Sequence, residues 1–166
     1  MREVRVQDAV GMILCHDITE IVRGQHKGAR FRKGDVIRAE DIEVLLRIGK
    51  EHIYVWEDDE NMLHENDAAQ VLRDLCQSEY MTASEPKEGK IELTSTVAGV
   101  FEVNEDALDA VNDITDVMIA TIAQHFPVKA GTKLAGMRVI PLVIGKDVMK
   151  KVQETAGTEP LLRILP

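Results

Sequence analysis

The strongest constraint on the fold is a change of hydrophobic period within residues 31–56. Ile42, Leu45 and Leu46 are spaced i, i+3 and i+4, which places three apolar side chains on one face of a helix. Gly49 follows at the position where helices commonly end in a left-handed residue. The next residues, HIYVW, are rich in the β-branched and aromatic side chains typical of strands. The segment is therefore predicted to form a loop, a helix and a strand, a small α/β unit.

The rest of the chain also changes between strand and helix patterns, which predicts an α+β fold. Alternating or β-branched residues predict strands at 2–6, 12–22, 90–96, 99–103, 117–122 and 135–145. Apolar residues at helical spacing predict further helices at 66–76, 104–114 and 146–157. Asn66 or Asp67 is predicted to cap the first of these helices, and Asn104 the second. Pro141 has no backbone N–H, so we expect it at the edge of a sheet or in a bulge.

The chain is predicted to divide into two linked sub-domains, of which the second is strand-rich and irregular. The segment 81–89 is rich in Ser, Glu, Pro, Lys and Gly, the composition of a linker. It separates an α/β sub-domain at 1–80 from the strand-rich sub-domain at 90–157. The final residues, 158–166, resemble the beginning of a further strand.

Composition argues against several classes of partner. A net charge of −9 and a pI near 5.0 oppose binding to a phosphate backbone, which needs a basic surface. Aromatic residues make up 4% of the chain, too few for a surface that stacks bases. No apolar segment approaches the roughly 20 residues of a membrane span, and the N-terminus lacks the apolar core of a signal peptide. Two cysteines, Cys15 and Cys76, are too few for a disulfide framework and are typical of reduced thiols, so we expect a cytoplasmic protein. From its charge, aromatic content and lack of a long apolar segment, we expect it to bind neither nucleic acid nor membranes.

One segment reverses the charge of the chain. Residues 23–38 contain six cationic side chains, one carboxylate and three glycines. The cations are Arg23, Lys27, Arg30, Arg32, Lys33 and Arg38. Glycine-rich loops expose N–H groups that bind oxyanions, so the segment is predicted to be mostly loop and to suit phosphate, molybdate or a pterin phosphate. The alternative is a solvated loop whose cations pair with the acidic segments, including those of a second copy in a dimer.

The sequence contains none of the common catalytic motifs. Cys15 and His16 would be a nucleophile and its base only if they faced each other, but neighbouring side chains of a strand point to opposite faces. The five histidines stand singly, without a shared metal-ligand spacing. The sequence HEND at 64–67 lacks the second histidine of a metalloprotease helix and predicts a turn before a helix cap. We therefore predict neither a catalytic residue nor a metal site.

Several segments of the sequence carry a family resemblance. In DAVGMILCHDITEI at 8–21, the residues that match are Ala9, Gly11, Ile13, Leu14, Asp17 and Ile18. In the segment 31–56, they are Gly34, Ile37, Ile42, Leu45, Leu46, Gly49 and Val55. HENDAA and AGMRVIPLVI follow in the same order. With these segments the chain resembles the molybdopterin molybdotransferase family of molybdenum cofactor biosynthesis, and in particular its molybdopterin-binding members.

The resemblance implies a modular protein. In that family a three-layer α/β domain that binds the pterin follows the N-terminal region, and residues 158–166 would be the approach to it. Full-length relatives are transferases. Two of their segments, DNSAMDGYA and TGAxLPxGAD, supply acidic residues near the site of metal insertion and are missing from this sequence. No catalytic residue is therefore carried over, and this chain alone is not expected to be catalytic.

The resemblance further implies that the chain is the scaffold and homodimerisation region of a molybdopterin-binding protein, with molybdopterin as the cofactor. Its residues would form one wall of the cofactor cleft. The side chains expected to face a ligand are His16, Asp17, Lys27, Arg30, Arg32 and Lys33. One alternative is a stand-alone module that binds an oxyanion or another small ligand without enzymatic activity. A second alternative is a purely structural oligomerisation domain.

Overall fold

The computed structural model describes residues 2–22, 26–56 and 60–166, with the side chains of all but residues 20–30 among them. These residues form four α-helices and thirteen short strands, and every described strand pairing is antiparallel. The predicted α+β fold class is confirmed. The chain divides into two compact units, Met1–Asp59 and Glu60–Pro166. None of the described helices is long and apolar enough to cross a membrane.

The first unit combines one helix with two strand pairs. Its strands are β1 (Arg2–Arg5), β2 (Ile18–Val22), β3 (His26–Phe31) and β4 (His52–Val55), and its helix is α1 (Ala39–Arg47). Strand β1 pairs with β4, and β2 pairs with β3. The core consists of Val6, Ala9, Leu14, Ile18, Phe31, Ile37, Leu45, Ile53 and Val55. Among the side chains that the structure describes, these nine form the core of the unit.

Helix α1 forms where the hydrophobic period predicts it. The Arg38 N–H donates to Oδ2 of Asp41 at 2.9 Å, which satisfies one of the free N–H groups of the first turn. Leu45 is completely buried on the inner face. Gly49 has a φ of +90°, and its N–H donates to the Leu46 carbonyl at 3.0 Å. The predicted glycine at the end of the helix is therefore confirmed, as is the strand β4 that follows.

The basic segment differs from its prediction as a loop. Residues His26–Phe31 form strand β3, in register with β2 from Ile18 opposite Phe31 to Val22 opposite His26. Strand β2 is rich in β-branched residues and supplies a ladder of hydrogen-bonding groups, which outweighs the glycine-rich composition of its partner. Ile18 and Phe31 are both buried where the hairpin joins the core. The prediction of a loop was wrong for these six residues.

The second unit contains the larger sheets. Its strands are β5 (Met62–His64), β6 (Met81–Ala83), β7 (Ile91–Ser95), β8 (Gly99–Val103), β9 (Val117–Thr121), β10 (Pro127–Val128), β11 (Lys133–Val139), β12 (Val143–Gly145) and β13 (Leu162–Leu165). Its helices are α2 (Glu65–Cys76), α3 (Glu105–Asn112) and α4 (Lys146–Ala156). The sheets have the strand orders β6-β7-β11-β9, β10-β8-β13 and β12-β5.

Helix α2 covers one face of the four-stranded sheet. Its buried side chains are Ala68, Ala69, Leu72 and Cys76, and the helix contacts β7 and β11. The inward side chains of these strands, such as Leu93 and Met137, lie in the same core cluster. On the opposite face of the sheet, Met118 and Ala120 of β9 are exposed. The sheet thus has one covered face and one open face.

The segment predicted as a linker takes part in the second unit. Met81 pairs with Ser95 and Ala83 with Leu93, so residues 81–83 are an edge strand of the four-stranded sheet. The Gly89 N–H donates to Oδ1 of Asn66 at 2.9 Å. Because these bonds tie 81–89 to the sheet and to α2, the chain divides between Asp59 and Glu60 instead of within this segment.

Two further strand predictions are refined by the structure. The segment predicted as one strand at 135–145 forms β11 and β12, with Pro141 between them, where it interrupts no ladder. The final strand pattern is confirmed as β13, which pairs with β8 from Leu162 opposite Val103 to Leu165 opposite Val100. Strand β13 is thus one of the two edge strands of the three-stranded sheet β10-β8-β13.

The edge strand β9 is capped by a side chain. The Nδ2 group of Asn112 donates to the Ile119 carbonyl at 2.9 Å, and the Ile119 N–H donates to Asn112 Oδ1 at 2.8 Å. On its other side, Ile119 lies opposite Met137 of β11. The carboxamide therefore repeats the hydrogen-bond pattern of a neighbouring strand. An edge closed in this way cannot pair with the strand of another chain at Ile119.

Replacing this amide tests its role. We expect Asn112→Ala to lower the free energy of unfolding by about 1–3 kcal/mol, because both backbone groups of Ile119 lose their partner. The opened edge should also increase self-association. Urea denaturation and sedimentation velocity measure the two effects. Asp113→Ala, at the exposed neighbouring position, should stay within about 0.5 kcal/mol of the parent. Equal stability and equal sedimentation of the two variants would contradict the capping role.

Candidate functional site

The candidate site is the turn Arg32–Asp35 that follows β3 in the first unit, called the basic turn below. Gly34 adopts a φ of +98°, a conformation that favours glycine. Its N–H donates to the Leu14 carbonyl at 2.9 Å, and the Leu14 N–H donates to the Asp35 carbonyl at 2.9 Å. Leu14 is a buried core residue, so these two bonds fix the turn to the core of the unit.

Two carboxylates hold the backbone of the basic turn. Asp17 Oδ1 accepts the N–H of Lys33 at 2.8 Å, and Asp35 Oδ2 accepts the N–H of Arg32 at 2.8 Å. Asp17 lies in the irregular stretch before β2, sixteen residues from Lys33. The role of Asp17 is thus to position the turn, since its oxygen bonds the backbone from outside the turn.

The cationic side chains of the basic turn are exposed. Arg32 and Lys33 both lie on the surface, and neither forms an ion pair within the described part of the chain. Two positive charges therefore stand next to each other on a fixed backbone, facing solvent.

His16 occupies a neighbouring position on Tyr54. Their ring centroids are 5.8 Å apart and the ring planes meet at 81°, an edge-to-face contact between two exposed residues. Of the six predicted ligand-facing residues, Arg32 and Lys33 lie in the basic turn and Asp17 binds its backbone from outside. His16 packs against Tyr54 of β4. Lys27 and Arg30 belong to β3, and their side chains lie outside the described residues.

Cys15 and His16 differ in their exposure to solvent. The Cys15 side chain is 5% exposed, whereas His16 is exposed. Leu14 is buried like Cys15 and Asp17 is exposed like His16, so the alternation predicted for a strand is not seen here, and β2 begins only at Ile18. Burial raises the pKa of the Cys15 thiol, and the positive charge of Lys33 acts in the lowering direction. A buried thiol with a raised pKa is a poor nucleophile.

The chemistry of the basic turn is that of exposed point charges. The N–H groups of Arg32, Lys33 and Gly34 all donate to protein oxygens. A loop that cradles an anion with its backbone needs such N–H groups free, and here they are engaged. Binding of an oxyanion to this turn would therefore rest on the guanidinium and ammonium groups. Such binding weakens strongly with salt.

The sequence HEND forms a helix cap. Nδ1 of His64 accepts the N–H of Asn66 at 3.1 Å, so His64 is the N-cap of α2. A cap was correctly predicted here, but it was assigned to Asn66 or Asp67 instead of His64. His64 is the last residue of β5 and keeps an extended backbone, with a ψ of 149°, as an N-cap residue does. Throughout the described ranges, no group of three or more His, Cys, Asp or Glu side chains is placed to hold a metal ion.

A second concave surface was not predicted from the sequence. The open face of the sheet β6-β7-β11-β9 forms a groove of about 430 Å³ in the second unit. Lys90, Lys133 and Arg138 line it, and Glu92 lies among them. Bonds and charges from Lys133 and Lys90 lower the pKa of Glu92 below its usual range. One sequence signal could have indicated the groove. Gly136 lies in the middle of a strand, where a glycine often marks a place at which a ligand or another part of the protein comes close to the backbone.

Comparison with known proteins gives one match. The model of a family described as a domain of unknown function (DUF8806) matches residues 3–57, about a third of the chain. The match coincides with the first compact unit and includes the basic turn. No curated protein and no solved structure matches the chain. The matched family description assigns no activity or ligand to these residues.

The bond between Asp17 and the basic turn can be tested by substitution. Asp17→Ala should lower the free energy of unfolding by about 1 kcal/mol and speed hydrogen exchange at the Lys33 amide, because that N–H loses its acceptor. Denaturation and amide exchange measured by NMR report the two effects. Asp8→Ala is the matched control, an exposed carboxylate at the short 3-10 helix Val6–Asp8. Unchanged exchange at Lys33 in the Asp17 variant would exclude the proposed bond.

The buried thiol Cys76 makes stability depend on pH in the alkaline range. Burial raises its pKa from 9.0 to about 12 in the folded chain. Above pH 9 the unfolded chain loses this proton while the folded chain keeps it, so the stability falls as pH rises toward 12. The limiting slope of this contribution is about 1.4 kcal/mol per pH unit. Cys76→Ala should show a shallower decline in urea unfolding between pH 9 and 11, and identical slopes would contradict this account.

Proposed function

We propose that this chain is the scaffold and dimerisation region of a molybdopterin-binding protein in molybdenum cofactor biosynthesis or handling. It would act in the cytoplasm and form one wall of the cofactor cleft without supplying a catalytic group. The observation that carries the proposal is the ordered resemblance of its segments to the molybdopterin molybdotransferase family. Those segments fall in both compact units.

The geometry of the basic turn supports a role in positioning. Two of the residues that carry the resemblance, Asp17 and Gly34, are also residues that hold this turn. They fix the backbone from which Arg32 and Lys33 project into solvent. A pair of cations on a rigid turn suits the phosphate of a pterin bound mainly by another part of the protein.

The test is the pterin content of the protein expressed from its complete gene in a host that makes molybdenum cofactor. Bound pterin is oxidised to its fluorescent products and quantified against protein. We expect Arg32→Ala combined with Lys33→Ala to reduce pterin retention about 5-fold, the effect of losing roughly 1 kcal/mol of exposed charge interaction. The control pair Arg47→Ala and Lys50→Ala, at the exposed end of α1, should retain the parental pterin content.

Residues 1–166 alone should bind molybdopterin weakly or not at all, and should form dimers in sedimentation equilibrium. Absence of pterin from the complete protein, or tight saturable binding by residues 1–166 alone, would contradict the scaffold proposal.

A second candidate is a stand-alone module that binds an oxyanion. The exposed pair Arg32 and Lys33 favours it. In that case residues 1–166 should bind molybdate or phosphate at low salt, with affinity that falls steeply as salt is added. Lys33→Ala and Arg30→Ala should each weaken this binding. Calorimetry at two salt concentrations therefore separates the module from the scaffold.

A further inference from the structure

Strand β1 is an edge strand of the first unit. It pairs with β4 on one side, from Arg2 opposite Val55 to Arg5 opposite His52. No other strand within the described ranges pairs with it. Glu3 and Arg5 are exposed, so solvent reaches this edge. A strand with an open edge can pair with a strand of another chain.

The hydrogen-bond pattern shows which backbone groups face the open edge. The Tyr54 carbonyl accepts the Cys15 N–H at 3.0 Å, so the backbone groups of Tyr54 point away from β1. Glu3 lies opposite Tyr54, and in such an antiparallel pair its own N–H and C=O point away from β4. Two residues further on, the Arg5 N–H points the same way. The Arg5 carbonyl serves the short helix that follows, of which Arg5 is the N-cap.

These edge groups are available to another chain. No hydrogen bond among the described residues uses the Glu3 N–H, the Glu3 carbonyl or the Arg5 N–H. The edge of β9, by contrast, is closed at Ile119 by the carboxamide of Asn112. The chain thus closes one sheet edge with a side chain and leaves both a donor and an acceptor open on β1.

The same two residues carry opposite charges. Glu3 and Arg5 are two residues apart in a strand, so their side chains point to the same face and their Cα atoms lie roughly 7 Å apart. Val4, between them, packs against the core of the unit. Neither charge forms an ion pair in the part of the chain that the structure describes. A negative and a positive group therefore stand side by side along the open edge.

We propose that β1 pairs antiparallel with β1 of a second copy of this chain, about a two-fold axis at Val4. In this register Glu3 of each copy lies opposite Arg5 of the other. Each Arg5 N–H donates to the Glu3 carbonyl across the axis, and each Glu3 carboxylate faces an Arg5 guanidinium. The product is a four-stranded sheet with the order β4-β1-β1-β4.

Charge selects this register among the three that align the open backbone groups. An axis at Glu3 would place two carboxylates opposite each other, and an axis at Arg5 would do the same with two guanidinium groups. Like charges directly opposite each other destabilise a strand pair. The axis at Val4 places unlike charges opposite each other at both positions. Because the edge is complementary to itself in this way, a second copy fits it.

The proposal is separate from the scaffold role. It gives a surface to the dimer expected of that role, but it rests on the sheet edge alone. It uses no residue of the basic turn and involves no pterin. The pairing strands are short, so the dimer belongs to the weak class of protein interfaces.

Charge exchange tests the pairing in the 166-residue chain by sedimentation equilibrium at low salt. Glu3→Lys and Arg5→Glu each place like charges opposite each other, so each should weaken the dimer about 10-fold, or about 1.4 kcal/mol. The variant with both substitutions has unlike pairs again and should return to within about 3-fold of the parent. An equal mixture of the two single variants should associate more tightly than either variant alone. Glu43→Lys, the same charge change at an exposed position of α1, is the matched control and should dimerise like the parent.

Proline at position 5 tests the backbone bonds. The φ of Arg5 is −67°, the value that proline fixes, so Arg5→Pro removes the N–H without straining the folded chain. Val4 lies in a strand, the conformation that a residue before proline prefers. Arg5→Ala loses the same charge but keeps the N–H. We expect Arg5→Pro to dimerise about 10-fold more weakly than Arg5→Ala, because two hydrogen bonds are lost across the axis.

Three results would overturn the proposal. They are a monomeric parent at concentrations up to about 1 mM, parental dimerisation in both single charge variants, and a double variant as weak as the single ones. A dimer that survives every substitution in β1 uses another surface, which removes this proposal and leaves the scaffold role standing. Absence of pterin from the complete protein removes the scaffold role and leaves the pairing of β1 standing. Circular dichroism of each variant checks that the fold is retained.

Discussion

The register of strand β11 determines both the core and the open face of the second unit. β11 pairs with β7 on one side and β9 on the other, so its side chains have no freedom to change faces. Met137 and Val139 point into the core, while Gly136 and Arg138 belong to the groove. A shift by one residue would exchange these two sets and bury a guanidinium. Packing against α2 therefore fixes the geometry of the surface on the other side of the sheet.

The two cationic surfaces differ in how their charges are paired. In the basic turn, three consecutive N–H groups are engaged by protein oxygens, and Arg32 and Lys33 face solvent. Charge alone acts there, and ions of the solvent screen it. In the groove, the Lys90 side chain lies close to the exposed side of Gly136, and its ammonium pairs with Glu92 at 3.2 Å. Lys133 pairs with the same carboxylate at 3.2 Å, so two of the three cations there are already paired within the protein.

Local signals made the helices predictable. Helix α3 begins after Asn104, whose Oδ1 accepts the Ala107 N–H at 3.2 Å, as its sequence indicates. Strand pairing depends on distant partners, so β3 and the segment 81–89 were misjudged from composition alone. The same limit applies to the sites. Asp17 and Lys33 were both candidates, but their bond is visible only in the fold. Lys133 and Glu92 likewise meet only because β11 pairs with β7.

Glu92 keeps the charge of the groove constant over the neutral pH range. Its bonds to Lys133 and Lys90 lower its pKa below the usual 4.5, so the carboxylate stays ionised as pH falls to that value. Its stabilising contribution is present above pH 4.5 and is lost only when pH falls through the lowered pKa. Protonation would release both lysines and add one positive charge, but only in acid. Near neutral pH, ionic strength therefore controls attraction of an anion to this face, and the protonation of Glu92 does not.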